Sequence, residues 1–248
     1  METHPDGVPR IAPERSAPPR TCEVSYVGPM PPPSAGVGPP PLSSPATRRQ
    51  DRSVSSPPLL VLASTSPYRK GLLARLGIPF ITAAPDCDED AYKACATSPR
   101  GLAESLALAK AESLRATHPG AVILGGDQVA TLDGDILGKP GSREAALDQL
   151  ERLAGRTHLL VTAVALLHDG QLHQHTDLAR LTMRPLTRTQ LERYVAADDP
   201  VDCAGAYKLE QRGITLFSAI HTVDHSAITG LPLLWLTGML SALGIDVP

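Results

Sequence analysis

From Leu59 onward, short apolar runs alternate with stretches in which apolar residues recur every three or four positions, and that alternation predicts an α/β domain. "LLVLAS", 59–64, reads as a buried strand. Ser66 is placed to cap the helix that follows, Pro67 suits its first turn, Leu72, Leu73 and Leu76 form one apolar stripe, and Gly77 closes it. "SPRGLAESLALAKAESLRATHPG", 98–120, repeats the grammar, with Ser98 as cap, Pro99 inside the start, and Leu102, Leu106, Ala109 and Leu114 along one side. Pro119-Gly120 is the stop.

"AVILGGDQVATLDGDILGKP", 121–140, predicts a strand interrupted by Gly125-Gly126, then more strand, with a hairpin turn at Asp133-Gly134. A helix runs from Ser142 to Ala154 and ends at Gly155. "THLLVTAVALLHDGQLHQHTDLARLTMRPL", 157–186, predicts two long strands joined at Asp169-Gly170, which makes the sheet mixed rather than wholly parallel. Thr187 and Gln190 offer a capping box for the next helix. The chain ends in one more strand and a helix starting near Leu231, and it contains no internal repeat.

Before this domain the pattern vanishes. Residues 1–57 hold more than half of the 25 prolines, including "MPPPSAGVGPPPLSSP", with almost no apolar periodicity, so they read as a disordered Pro-rich leader preceding a folded domain at 58–248. A net charge of −3 excludes a broad basic surface for nucleic acid or anionic lipid, and leaves any anion site to local residues. Cys22, Cys87, Cys95 and Cys203 form no CxxC pair and are too scattered for a disulfide framework, which fits a reducing cytoplasm. No apolar run reaches the roughly 18 residues of a membrane span. The sequence is compatible with a homodimer.

The chemistry gathers at strand ends. Ser64, Thr65, Ser66 and Arg69 surround a helix N-terminus, where free N–H groups and the dipole attract anions such as phosphate; ordinary capping is the competing reading. Asp127 follows the glycine pair inside an apolar strand, where an unpartnered carboxylate is costly to bury and wants a metal or a proton; a satisfied turn residue is the competing reading. Lys110 and Lys139 are unremarkable singly. His173 and His175 share a strand face and read as solvent-facing rather than metal-ligating. Asp86, Asp88, Glu89 and Asp90, around Cys87 and Cys95, read as an acidic loop able to hold a hard cation or simply as a solvated charge run.

Taken in order, "LASTSPYRKGLLARLG", the acidic loop ending at Glu89, "LALAKA", "GGDQV", "LDGDILGKP", "LAGRTHLLVTAVAL", "DCAGAYKLE", "GITLF" and "GLPL" resemble the Maf family of nucleoside triphosphate pyrophosphatases over about residues 59–244. The resemblance implies a mixed α/β fold with flanking helices and two lobes around a nucleotide cleft, similar to inosine triphosphate pyrophosphatases. It implies hydrolysis between the α and β phosphates, with a nucleoside triphosphate as substrate and a divalent cation, Mg2+ or Mn2+, as cofactor. Asp127 matches the family's catalytic carboxylate and, with Glu89, its metal-binding acids. Ser64, Arg69, Glu89, Lys110 and Lys139 match the polar residues around the triphosphate.

Within that family the chain resembles the branch acting on 7-methyl-GTP, a house-cleaning activity, more than the branch acting on dTTP and UTP. Tyr68 after "SP", Gln128 after Asp127, and Lys208 and Glu210 in "AYKLE" carry that likeness. Methylation at N7 leaves positive charge on guanine, which favours an electron-rich ring and a nearby carboxylate; Tyr68 and Glu210 offer one of each, and Gln128 an amide. Gly126 departs from the branch, which more often has serine there. Alternatives are a pyrophosphatase for dTTP, UTP or other modified nucleotides, and a non-catalytic nucleotide-binding regulator of cell division. The full set of acids and lysines weighs against the regulator, since binding alone needs no general base.

Overall fold

The computed structural model describes residues 57–247. The leader expected before residue 58, Cys22 included, lies outside the described residues apart from Pro57.

The described residues form one seven-stranded mixed sheet with α-helices on it. Strands β1 (Leu60–Ala63) and β2 (Ile81–Ala83) are parallel neighbours, and β1 is also parallel to β3 (Val122–Leu132). From there the sheet is antiparallel: β3 pairs with the short β4 (Asp135–Leu137) and with β5 (Thr157–His168). Next come β6 (Gln171–Met183) and the edge strand β7 (Phe217–His221). The helices are α1 (Pro67–Ala74), α2 (Glu89–Cys95), α3 (Pro99–Glu112), α4 (Arg143–Leu153), α5 (Arg188–Asp198) and α6 (Leu233–Ala242).

The expected helix starts are the observed ones because each supplies an oxygen to an otherwise orphaned N–H. Ser66, Ser98 and Ser142 accept from Arg69, Gly101 and Ala145, while Gln190 accepts from the Thr187 N–H at 2.8 Å. Three expectations need correcting. The glycine pair does not interrupt β3, which runs unbroken through eleven residues. The acidic loop is helix α2 from Glu89 onward, capped by Asp88, with no buried residue to give it an amphipathic signature. His173 and His175 are only partly exposed, and the His175 ring stacks on Trp235 with centroids 5.2 Å apart and planes 9° apart.

Why β3 tolerates Gly125 is a matter of contact. A β-carbon there would lie 2.1 Å from the Ala107 carbonyl oxygen and 2.8 Å from the Ala111 nitrogen, both in α3, so only glycine lets that helix lie against the strand. Side chains alternate along a strand. Asp127 therefore shares the α3 side with Gly125, and Gln128 the opposite side with Gly126.

Two apolar clusters sandwich the β1 end of the sheet, one built on Leu102, Leu106 and Ala107 of α3, the other on Leu72, Leu73, Leu236 and Leu240 of α1 and α6. A third, with Leu147, Leu150, Leu153, Leu191 and Val195 of α4 and α5, fills the other end. Between these ends the partner of β3 changes on one side. Residues 122–125 pair with β1 and residues 130–132 with β4, leaving 126–129 paired to β5 alone. This break in the sheet positions the site.

Candidate active site

The break opens into a cleft of about 350 Å³, beyond the carboxyl end of β1 where ligands of α/β sheets bind. Its walls come from four places: the corner from Ser64 to Arg69, the pair Glu89 and Lys110, Lys139 just after β4, and the segment containing Asp202, Cys203, Tyr207 and Glu210. Gln128, Thr229 and Gly230 complete it.

At the corner, the Ser64 oxygen accepts from the Ser66 N–H at 3.1 Å, and its own hydroxyl proton is unclaimed among the described residues. Arg69 donates through Nε to the Gly230 carbonyl at 3.2 Å, which fixes the guanidinium across the cleft floor. Burial draws its pKa downward, against the opposing pull of Asp127 and Glu89. The loop that presents Gly230 is itself fixed. Asp224 accepts from the Ser226 and Leu234 N–H groups at 2.8 and 2.7 Å, tying the 3-10 turn His225–Thr229 to the start of α6.

Opposite lies an ion cluster. Lys110, 7% exposed, sets its ammonium 2.7 Å from Asp127 and 2.8 Å from Glu89. Desolvation pushes the Glu89 carboxyl upward, but its hydrogen bond and charge contact with Lys110, helped by Lys93 and Lys139, outweigh this and leave the pKa below its ordinary value. Asp127, 8% exposed, sits behind Lys110 rather than on the open wall. The ammonium bridges the two carboxylates and draws them toward one point.

Among the base-facing residues, Tyr68 is partly buried on the cleft wall. Desolvation raises its phenol pKa, with Cys203, Asp202 and Glu210 adding to the rise and Lys208 opposing it. Glu210 is exposed on the wall. Lys208 is not on the wall: its ammonium lies 3.0 Å from Asp202 and 3.2 Å from the Asp199 carbonyl. The Gln128 amide nitrogen is likewise committed, donating to Thr162 at 2.8 Å and to the Ala227 and Ile228 carbonyls at 3.0 Å. Gln128 thus holds the 225–229 turn in place and keeps only its carbonyl oxygen for a ligand.

Asp202, Cys203 and Tyr207 were not singled out from the sequence. Burial pushes the Cys203 thiol up to about 11, with Asp202 contributing, so it is a neutral wall residue at pH 7. Tyr207 is held by His158, whose Nε2 lies 2.9 Å from its hydroxyl. Only the tertiary structure pairs these two; nothing local in the sequence joins them.

His158 gives a stability prediction. It is 1% exposed, and desolvation pushes its pKa from 6.5 down to about 4. The unfolded chain therefore takes up a proton first, so the contribution is complete above pH 6.5 and is lost as pH falls through about 4. Its full size is about 3 kcal/mol. Urea unfolding of wild type and His158→Gln between pH 7.5 and 4.5 should show a shallower loss of stability in the variant; parallel slopes would refute the assignment.

The family model of Maf-like proteins matches residues 59–243. The chain belongs to the Maf family. A 7-methyl-GTP pyrophosphatase of Bdellovibrio bacteriovorus is 45% identical over 181 residues, covering 73% of this chain and 95% of that protein. Proteins of the same name from Bordetella parapertussis and Xanthomonas campestris are 46% and 45% identical, each covering 77% of this chain and 94% and 99% of their own lengths. A solved HAM1 protein from Coxiella burnetii superposes with a TM-score of 0.37 at 19% identity, covering 52% of this chain and 74% of that one. Among the described residues of this Maf protein, no helix is long and apolar enough to cross a membrane. Cys87, Cys95 and Cys203 are free thiols.

Proposed function

We propose that this chain hydrolyses 7-methyl-GTP between its α and β phosphates, giving 7-methyl-GMP and diphosphate. The observation that carries the reading is the convergence on one cleft of the Ser64–Arg69 corner, Lys139, the Lys110 ammonium with Glu89 beside it and Asp127 behind it, and Tyr68 with Glu210. The names of the relatives at 45–46% identity support the same substrate.

In this reading the phosphate chain lies along the break in the sheet. Ser64 donates its hydroxyl, and Arg69, Lys110 and Lys139 balance charge on the phosphoryl oxygens as it grows. Asp127 orients a water molecule toward the α phosphorus and takes its proton as the P–O bond to the leaving diphosphate breaks. The diphosphate departs with the bonding electron pair, and Arg69 and Lys139 stabilise it.

Glu89 and Asp127 suit a divalent cation in one respect: two hard oxygen donors converge on the Lys110 ammonium at the cleft, and Mg2+ commonly takes one or two carboxylates plus substrate oxygens and waters. Among the described residues no group of three or more His, Cys, Asp or Glu side chains forms a complete metal cage, so the remaining ligands would come from substrate and solvent. When bound, such an ion supplies Lewis-acid polarisation of the phosphoryl oxygens.

Tyr68 supplies the ring that stacks on the cationic base, and Glu210 the carboxylate that accepts from guanine N1–H and its amine. Gln128 and Lys208 position the walls.

A triphosphate panel tests this. With Mg2+ or Mn2+, the protein should release diphosphate faster from 7-methyl-GTP than from GTP, dTTP or UTP. Tyr68→Leu and Glu210→Gln should each reduce that preference about tenfold. Equal rates across the panel would remove the base assignment, and absence of release from every member would remove the enzyme reading.

A further inference from the structure

Outside the cleft, α5 and the 3-10 turn Arg212–Leu216 line a second, open pocket of about 340 Å³. Three arginines line it: Arg184 after β6, Arg193 on α5 and Arg212. We propose that this pocket is a second anion site, which binds the diphosphate group of a small molecule.

The arginines differ in how they are held, and that difference makes a site of them. Arg184 donates through Nη1 to the Thr215 carbonyl at 2.9 Å, and Arg212 through Nη1 to the Ala197 carbonyl at 3.3 Å and the Asp198 carboxylate at 3.0 Å. Each anchor uses one corner of a guanidinium and leaves its other N–H groups available, so two donors are preorganised. Arg193 is exposed and has no carboxylate partner among the described residues. The neighbouring Arg188 shows the contrast, being consumed by Glu144, Glu151 and Glu192.

Against three guanidinium charges the pocket sets only Asp198, which is fully buried and already committed to Arg212. The excess is about two positive charges, suited to a diphosphate rather than a carboxylate. Tyr194 and Leu216, both buried, supply an apolar floor that lowers the local dielectric and strengthens pairing at the rim.

The pocket also touches the machinery of the cleft. The Tyr194 hydroxyl accepts from the Lys208 N–H at 2.9 Å, and the Asp198 carboxylate accepts from the Arg212 N–H at 2.9 Å. The segment 208–212 is thus pinned to α5 at both ends, with Glu210 between them on the cleft wall. An anion that draws Arg193 toward Arg184 and Arg212 stiffens the segment that presents Glu210.

The test is calorimetric titration of inorganic diphosphate into the full chain without divalent cation. It is read by binding alone, so it succeeds or fails independently of the catalytic proposal. Wild type should take up one more equivalent per chain than Arg184→Ala/Arg193→Ala. Arg115→Ala, which removes a surface arginine elsewhere, should keep the wild-type stoichiometry. If the double variant melts lower than wild type, the single reversal Arg193→Glu should still weaken the extra site at least tenfold. Identical stoichiometry and affinity in wild type and these variants would overturn the proposal. Titrating GDP in parallel identifies the source: tighter binding of GDP to this site assigns it to nucleotides, and parity or weaker binding assigns it to free diphosphate.

Discussion

Asp127→Asn is expected to lower turnover of 7-methyl-GTP about a thousandfold while nucleotide affinity stays within a few-fold of wild type. Asparagine keeps the shape and can still meet the Lys110 ammonium through its carbonyl oxygen, but it cannot accept a proton from attacking water. Lys110 retains Glu89 at 2.8 Å, so the ammonium is not left unpaired in its nearly buried position. Single-turnover measurement separates this from a binding defect, because a non-hydrolysable analogue should bind wild type and variant alike. Turnover close to wild type would move the proton acceptor elsewhere, with Glu89 the next carboxylate on the same ammonium.

Gly125→Ala should be the most damaging single methyl group that can be added near the site. The new carbon would meet helix backbone at 2.1 and 2.8 Å, and neither atom can rotate away, so α3 must move as a body. A loss of at least about 3 kcal/mol is expected, at the upper end for overpacking. Activity should fall further than stability requires, since α3 carries Lys110. The neighbouring Gly126→Ala is the control. Its added carbon would lie 3.5 Å from Leu231 and 3.6 Å from Arg69, which is ordinary contact, so stability should change little. Urea midpoints for the two variants decide the matter; similar losses would show that contact with α3 is not what selects glycine.

That pair of glycines also marks where sequence reading stops. Helix starts were legible because a capping serine acts within three residues, as Ser66, Ser98 and Ser142 do. The long β5–β6 hairpin was legible from alternation and the Asp169-Gly170 turn. A doubled glycine in a strand signals either a break or a close neighbour, and the neighbour here is α3, whose approach no local pattern records. Helix α2 was hidden because it buries none of its residues, and β2 because it is only three residues long and mostly exposed.

The site divides the same way. Ser64, Arg69, Glu89, Lys110, Lys139, Tyr68 and Glu210 all line the cleft, with Asp127 directly behind Lys110. Two residues in the same motifs have other partners. Gln128 spends its amide nitrogen on a turn about a hundred residues away, and Lys208 folds back onto Asp202. Which polar residue faces a ligand and which braces a loop depends on such long-range partners, and His158 beneath Tyr207 is a third example.

The bond from Arg69 to Gly230 joins residues 161 positions apart. A chain emerging from the ribosome therefore carries Arg69 early, yet lacks the carbonyl that aims its guanidinium until residue 230 has been made. The geometry of the cleft is thus completed late in synthesis, and a nascent chain stalled before residue 230 would hold the Ser64–Arg69 corner without the strap that fixes it.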